Sequence, residues 1–337
     1  MRIHLKPLED QTLVITGASS GIGLTTALQA ASHGANLVLV ARDPDSLDEA
    51  AERCRAEGAD VETVVADVGD RAIFDLIVDR AKERFGGFDT WVNNAGVSIY
   101  GELKDVPEND ARGMFETNYW GVVHGSLAVA EYVRQRGEAE HGVALINLGS
   151  VLSDRAIPLQ GHYSASKHAV KGFTDALRME LEKEGLPISV TLVKPSAIDT
   201  PYPEHAANYM DKEASLPTPT YAPEVVARTI LGAAEDPIRD VTVGAKDGVM
   251  AILGNLFPGL TDKIMEASFF DQQKAEAFFF GDRHGTVQAP DGSAEARGDA
   301  EGHVMESSLY TQAQRHPLVA AGLAVAAGLA LAAMNRD

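Results

Sequence analysis

A single cysteine, Cys54, is all the thiol the chain has. No intrachain disulfide can form, and no cysteine-rich zinc site exists. Cys54 falls in a helix-patterned stretch far in sequence from any chemistry and reads as packing. Basic residues are scarce beside acidic ones, 29 Lys and Arg against 49 Asp and Glu, for a formal net charge of −20. Such a surface argues against nucleic-acid backbones as partners. Residues 1–11 contain no long apolar run, so no secretory signal is read there. No spacing of histidines and carboxylates suggests a metal site. What remains is an ordinary globular composition, 45% hydrophobic and 23% charged over 337 residues. It rules out wholesale disorder, a collagen and a polytopic membrane protein, and leaves room for one large domain or two modest ones.

Short apolar runs alternate with helical patterns from residue 13 to about 243. Strands are expected at 13–16, 36–40, 61–65, 89–92, 143–148, 188–193 and 241–243. Helices are expected at 22–33, 47–57, 72–84, 110–136, 164–184 and 223–234. The strands read as continuous apolar runs, the mark of a parallel sheet covered on both faces. The expectation is an α/β, doubly wound Rossmann-type parallel sheet of about seven strands with helices on both faces, within residues 1–250. Residues 200–222 carry Pro201, Pro203, Pro217 and Pro219, too long a stretch for a plain connector and suited to a lid. An apolar and aromatic extension follows at 251–288. Residues 289–315 are acidic and glycine-rich and read as a flexible linker.

The first strand runs into Thr16, Gly17, Ala18, Ser19, Ser20, Gly21, Ile22 and Gly23. Glycines make the turn tight and let a pyrophosphate approach the backbone, and the next helix offers it unpaired N–H groups. The second strand ends Val40, Ala41, Arg42, Asp43. A carboxylate at that strand end would take a ribose diol, whereas a guanidinium suits a 2′-phosphate. Arg42 therefore favours NADP(H) over NAD, with Ser19 and Ser20 as added hydroxyl donors. Asp43 competes with this reading, either as a partner of Arg42 or as a weak diol ligand.

Tyr163 and Lys167 stand four residues apart near a predicted helix start, so phenol and ammonium share a face. A free tyrosine is a poor acid/base at neutral pH, and a nearby cation together with an oxidised nicotinamide favours its phenolate. Ser150 lies just past the fifth strand, where a parallel sheet faces its ligand crevice. Its hydroxyl can hold a carbonyl or alcohol oxygen.

Together and in order, the glycine-rich turn, Asn93-Asn94-Ala95-Gly96, Asn118, Ser150 and the Tyr163–Lys167 pair resemble the short-chain dehydrogenase/reductase family. The resemblance spans roughly residues 8–243. It implies sheet order 3-2-1-4-5-6-7, Tyr163 as general acid/base, and Lys167 as the pKa-lowering group and nicotinamide-ribose ligand. It implies Ser150 as substrate-oxygen ligand and Asn118 as holder of a water linking Lys167 to solvent. It places Asp67 and Val68 near the adenine, Asn94, Ala95 and Gly96 along the cofactor, and Thr200 at the carboxamide or a phosphate. Where the family often has Pro-Gly after the sixth strand, this chain has Pro195-Ser196, a side chain that crowds the nicotinamide pocket or is tolerated there. The resemblance also implies a homodimer or homotetramer.

The reading is an NADP(H)-dependent oxidoreductase acting on a small, hydrophobic carbonyl compound or alcohol. A silent nucleotide-binding sensor and a membrane-associated interaction protein are the alternatives. Residues 318–334 carry no charged or polar side chain. At 1.5 Å per residue they would span about 26 Å, short of a ~30 Å hydrocarbon core. Two expectations stay open for 316–337, a membrane anchor on a cytoplasmic enzyme or a helix packed on protein.

Overall fold

A computed structural model describes residues 3–137, 139–244, 253–254, 256–290, 292, 294–300 and 302–315. Along the chain, β1 (Thr12–Thr16) leads through the glycine-rich turn into α1 (Gly21–Ser32). β2 (Asn36–Ala41), α2 (Pro44–Ala56), β3 (Val61–Val65), α3 (Ile73–Phe85) and β4 (Thr90–Asn93) continue the alternation. A short β5 (Ile99–Tyr100) precedes α4 (Glu108–Phe115) and α5 (Gly121–Arg136). β6 (Val143–Leu148), the long α6 (Gly161–Glu184) and β7 (Ile188–Pro195) follow. The proline-rich stretch holds α7 (Tyr202–His205), β8 (Ala207–Asn208), β9 (Lys212–Ala214) and β10 (Thr220–Tyr221). Then come α8 (Pro223–Glu235), β11 (Asp240–Val243), α9 (Pro258–Gln272), β12 (Lys274–Phe278), β13 (Val304–Met305) and α10 (Leu309–Arg315).

The central sheet has seven parallel strands in the order β11-β7-β6-β4-β1-β2-β3, as the resemblance implies. Alternate residues of each strand feed opposite faces. Leu13, Ile15, Leu37 and Leu39 pack under α1, α2 and α8, while Val14, Val38 and Val40 pack under α3, α5 and α6. Both faces are dry, which is why the strands read as unbroken apolar runs. Inside the second face, Asn93 donates to Asn147 at 2.8 Å and Asn147 to Thr174 at 3.0 Å, while Trp91 donates to Asn93 at 2.7 Å. These buried, mutually satisfied amides tie β4 and β6 to α6, the helix that carries Tyr163.

The single helix expected at 110–136 is divided. Between α4 and α5 lies a π-helical turn, Glu116–Trp120, and it contains Asn118. The stretch expected as a flexible linker is laid against the domain. β13 pairs with β10, Arg297 bridges Glu224 and Glu306, and Thr311 and Gln314 of α10 donate to the Thr242 carbonyl. Several of its polar groups meet backbone and side-chain partners of the domain, although most of its described residues stay exposed. Among the described residues no helix is long and apolar enough to cross a membrane. Residues 318–334 lie outside the described residues.

Candidate active site

At the carboxyl ends of β1, β2, β4, β6 and β7 a cavity of about 300 Å³ opens, lined by both sets of residues expected from the sequence. Its nucleotide end is the glycine-rich turn. Gly17 has φ +64°, and a Cβ there would sit 2.7 Å from the Ala95 Cα; a Cβ on Gly23 would fall 2.0 Å from the Gly17 carbonyl. Both positions therefore need glycine. Thr16 Oγ1 accepts from the N–H groups of Asn94 and Ala95, each at 3.1 Å, and the Asn94 side chain donates to the carbonyls of Thr16 and Gly17. The segment Asn94–Gly96 thus braces the turn from the neighbouring strand.

Gly17, Ser19, Ser20, Gly21, Ile22, Arg42, Val68, Asn94, Ala95, Gly96 and Thr200 line this end. Gly23 lies beneath the turn, and Asp67 is beside the cavity wall but not in it, accepting from the Gly69 N–H at 2.8 Å and standing 3.8 Å from Arg42 Nη1. The Asp43 carboxylate is engaged as the N-cap of α2, accepting from the Ser46 N–H at 2.8 Å. That contact, above all, holds its carboxyl below the ordinary range. One oxygen of Asp43 is thus committed to the helix cap, while the residue itself lies in the cavity wall. The residues fit a dinucleotide: the turn admits close backbone approach, a helix N-terminus faces it, and a guanidinium stands at the end of β2.

The other end of the cavity holds Ser150, Tyr163 and Lys167, buried to 7%, 9% and 4% exposure. α6 begins at Gly161, so Tyr163 and Lys167 lie on its first turns and face the end of β6. Lys167 Nζ donates to the Leu148 carbonyl at 2.8 Å and lies 5.7 Å from the centroid of the Tyr163 ring. Burial drives the Lys167 pKa down to about 8. Burial likewise raises the Tyr163 phenol, opposed by hydrogen bonds with Tyr202 and Ser150. The depressed phenol expected from the Tyr–Lys spacing is thus not produced by the protein groups alone.

Asn118 does not reach the cavity wall. Its Oδ1 accepts from the Val97 N–H at 2.8 Å, and its Nδ2 donates to the Val97 carbonyl at 2.9 Å and to Ser166 Oγ at 3.2 Å. A Cβ added to Gly96 would lie 3.4 Å from Asn118 Oδ1 and 3.8 Å from Lys167 Nζ, so all three meet behind the catalytic face. The π turn is what aims the amide inward, as such turns do at functional sites.

The wall opposite Tyr163 comes from the proline-rich lid and the aromatic extension. The Tyr202 ring meets that of Tyr163 edge-on with centroids 5.7 Å apart, and its hydroxyl donates to Ser98 Oγ at 2.7 Å. Gln160, Tyr100, Met265 and Phe269 complete that side, and Ser196 lines the cavity where the family often has glycine. Tyr202 is expected in an apolar lid from the sequence, but nothing in its spacing pairs it with Tyr163. The lid is pinned by β8 on β5 and by β9 on β12, so its position comes from partners distant in sequence.

Comparison with known proteins follows the geometry. The profile of the short chain dehydrogenase family matches residues 11–210. An oxidoreductase of Bacillus subtilis (strain 168), YxnA, is 44% identical over 329 residues, covering 97% of this chain and 91% of its own. A Burkholderia phymatum short chain dehydrogenase/reductase in complex with NAD superposes with TM-score 0.63 at 25% identity, over 80% of this chain and 98% of its own. The L-sorbose reductase of Gluconobacter frateurii, complexed with NADPH and L-sorbose, gives TM-score 0.60 at 26% identity, over 72% and 97%.

Proposed function

The chain belongs to the short-chain dehydrogenase family, and from that premise we propose that it is an NADP(H)-dependent oxidoreductase interconverting a hydrophobic carbonyl compound and its alcohol. The observation that carries the proposal is one cavity taking in both the glycine-rich turn and the group Ser150, Tyr163 and Lys167. Arg42 at the end of β2, with Ala41 before it and Asp43 occupied as a cap, supports a 2′-phosphate over a free diol. Leu152, Ile157, Leu216, Met265 and Phe269 line the substrate side and support an apolar substrate.

The bound nicotinamide supplies or accepts the hydride. Ser150 holds the reacting oxygen and stabilises charge developing on it. Tyr163 gives that oxygen its proton in reduction and takes it in oxidation. Lys167 orients the cofactor ribose and supplies positive charge beside the phenol. Asn118 fixes the Val97 backbone behind them. Exposed apolar side chains on α5, α6 and the π turn, Leu127, Met179 and Trp120, support pairing of copies through these long helices into a homodimer or homotetramer. The cytoplasmic assignment, and the choice for 318–334 between a membrane anchor and a helix packed on protein, are tested by fractionating cells that express the full chain or a chain ending at Arg315.

The test of the activity is a panel of aldehydes, ketones and alcohols with NADPH, NADH and their oxidised forms. Turnover of apolar carbonyls with NADPH is expected. Tight NADPH binding with no turnover of any member in either direction would return the sensor reading.

A further inference from the structure

Two stretches of the C-terminal extension, 284–290 and 294–300, cross the nucleotide end of the cavity. At one end the Asp110 carboxylate, 2% exposed, accepts from Gln288 Nε2 at 2.8 Å and from the Tyr209 hydroxyl, and His284 Nδ1 lies 2.9 Å from it. In the middle, the Thr286 carbonyl accepts from Arg42 Nη2 at 2.6 Å, and Thr286 and Pro290 form part of the cavity wall. Beyond it, the Ala294 carbonyl accepts from Arg53 at 2.7 Å and the Glu295 carbonyl from the Gly21 N–H at 2.8 Å. The Ala300 N–H ends the crossing on Asp199 Oδ1 at 3.2 Å.

Two of these contacts fall on groups a dinucleotide would use. The Gly21 N–H is among the first of α1, the donors without partners inside the helix, and the Glu295 carbonyl brings partial negative charge to the end that attracts a pyrophosphate. Arg42 gives one donor of its fork to Thr286, while its Nη1 lies 3.8 Å from Asp67. The segment therefore both builds the wall of the nucleotide site and shares its donors. The 284–290 stretch is anchored on a buried carboxylate that His284 and Gln288 share with Tyr209, and Thr286 fastens it further through its carbonyl to Arg42 and its hydroxyl to the His205 carbonyl, whereas 294–300 is held separately by Arg297 on Glu224 and Glu306. Detachment at Asp110 therefore loosens the 284–290 stretch that lies over Arg42.

We infer that these stretches form a strap closing the dinucleotide cleft, and that its release from Asp110 admits and frees the cofactor. The inference rests on the dinucleotide reading proposed above. The test is stopped-flow binding of NADPH to the full chain and to a His284→Ala/Gln288→Ala variant. Association and dissociation rates are both expected to rise about tenfold, the factor that corresponds to about 1.4 kcal/mol of lost anchorage. The dissociation constant should move by less than about threefold, since both rates shift together. A second measurement uses the unaltered chain, so it stands even if the variant fails to fold. Saturating NADPH should slow tryptic cutting after Arg297, which is exposed on the strap. Unchanged rates in a folded variant, or equal cutting with and without NADPH, overturn the strap while leaving the cofactor assignment intact. An unaltered chain that binds neither NADPH nor NADH overturns the dinucleotide reading, and the strap with it.

Discussion

Replacing Lys167 with methionine should expose what the site costs the fold. Lys167 is 4% exposed, donates to a single carbonyl at 2.8 Å, and has its pKa driven by burial from 10.5 to about 8. Between about pH 8 and 10.5 the unfolded chain binds more protons at this residue than the folded chain, so stability rises with pH across that window. Below pH 8 the full burden of a buried ammonium is present, roughly 3 kcal/mol at pH 7. At pH 9.5 about 1.4 kcal/mol of it remains, a gain of about 2 kcal/mol between the two conditions. Methionine keeps the length and removes the titration. The assay is urea unfolding of cofactor-free protein at pH 7 and pH 9.5 for both chains. The stability of the unaltered chain relative to Lys167→Met should move by about 2 kcal/mol in its favour at the higher pH. Other groups, Tyr163 included, titrate in both chains and largely cancel. Parallel stability at the two pH values would refute the argument, and with it the claim that Lys167 is held in a dry site against its preference.

Tyr163→Phe should lower turnover about 10²–10⁴-fold while NADPH titration gives a nearly unchanged dissociation constant; normal turnover on the true substrate would remove Tyr163 from the chemistry. Arg42→Ala should weaken NADPH by about 1.5–3 kcal/mol, roughly 10- to 150-fold, and leave NADH almost untouched, so equal losses measured by fluorescence titration would sink the 2′-phosphate assignment. His284 has its pKa raised by its hydrogen bond to Asp110, with Asp282 adding to the effect. The contact is at full strength below the ordinary histidine pKa and weakens as pH rises through the folded value; tryptic cutting after Arg283 should therefore accelerate from pH 6 to pH 8 relative to a His284→Gln chain, and an identical pH dependence in the two would count against the latch.

The central sheet was legible because its inner strands are buried on both faces, which leaves an unbroken apolar signature; the edge strand β3, half-buried at Glu62 and Thr63, carries it more weakly. The catalytic side chains were legible for another reason: Tyr163 and Lys167 are related by helical spacing, and Ser150 by its place after a strand. The π turn around Asn118 was not read, because the phase shift it introduces is confined to five residues, Glu116–Trp120, between two helical patterns that each look regular. The strap was divided between two expected segments, 284–288 in the apolar extension and 289–300 in the flexible linker, because it is without period. Its contacts with Arg42, Arg53 and Gly21 are made by the carbonyls of Thr286, Ala294 and Glu295, a group every residue type carries. Tyr202 belonged to the expected lid, but its contact with Tyr163 became visible only once the lid was seen against α6. The phenol of Tyr163 marks a further limit, since its spacing from Lys167 predicts a lowered pKa while its burial raises it.

The π turn at Glu116–Trp120 also makes the site sensitive to chain length. Each residue of a helix advances the chain by about 100°. Deleting one residue here would restore a plain α-helix and swing α4 around its axis by about that angle relative to α5. Asp110, which accepts from Tyr209 and Gln288, and Asn118, which holds Val97, would then no longer face their present partners together. A single-residue deletion would thus do what no substitution at these positions can do, uncoupling the lid from the Asn118 side of the site while keeping both Asp110 and Asn118 in the chain. The number of residues between Asp110 and Asn118 is a property of the site in its own right.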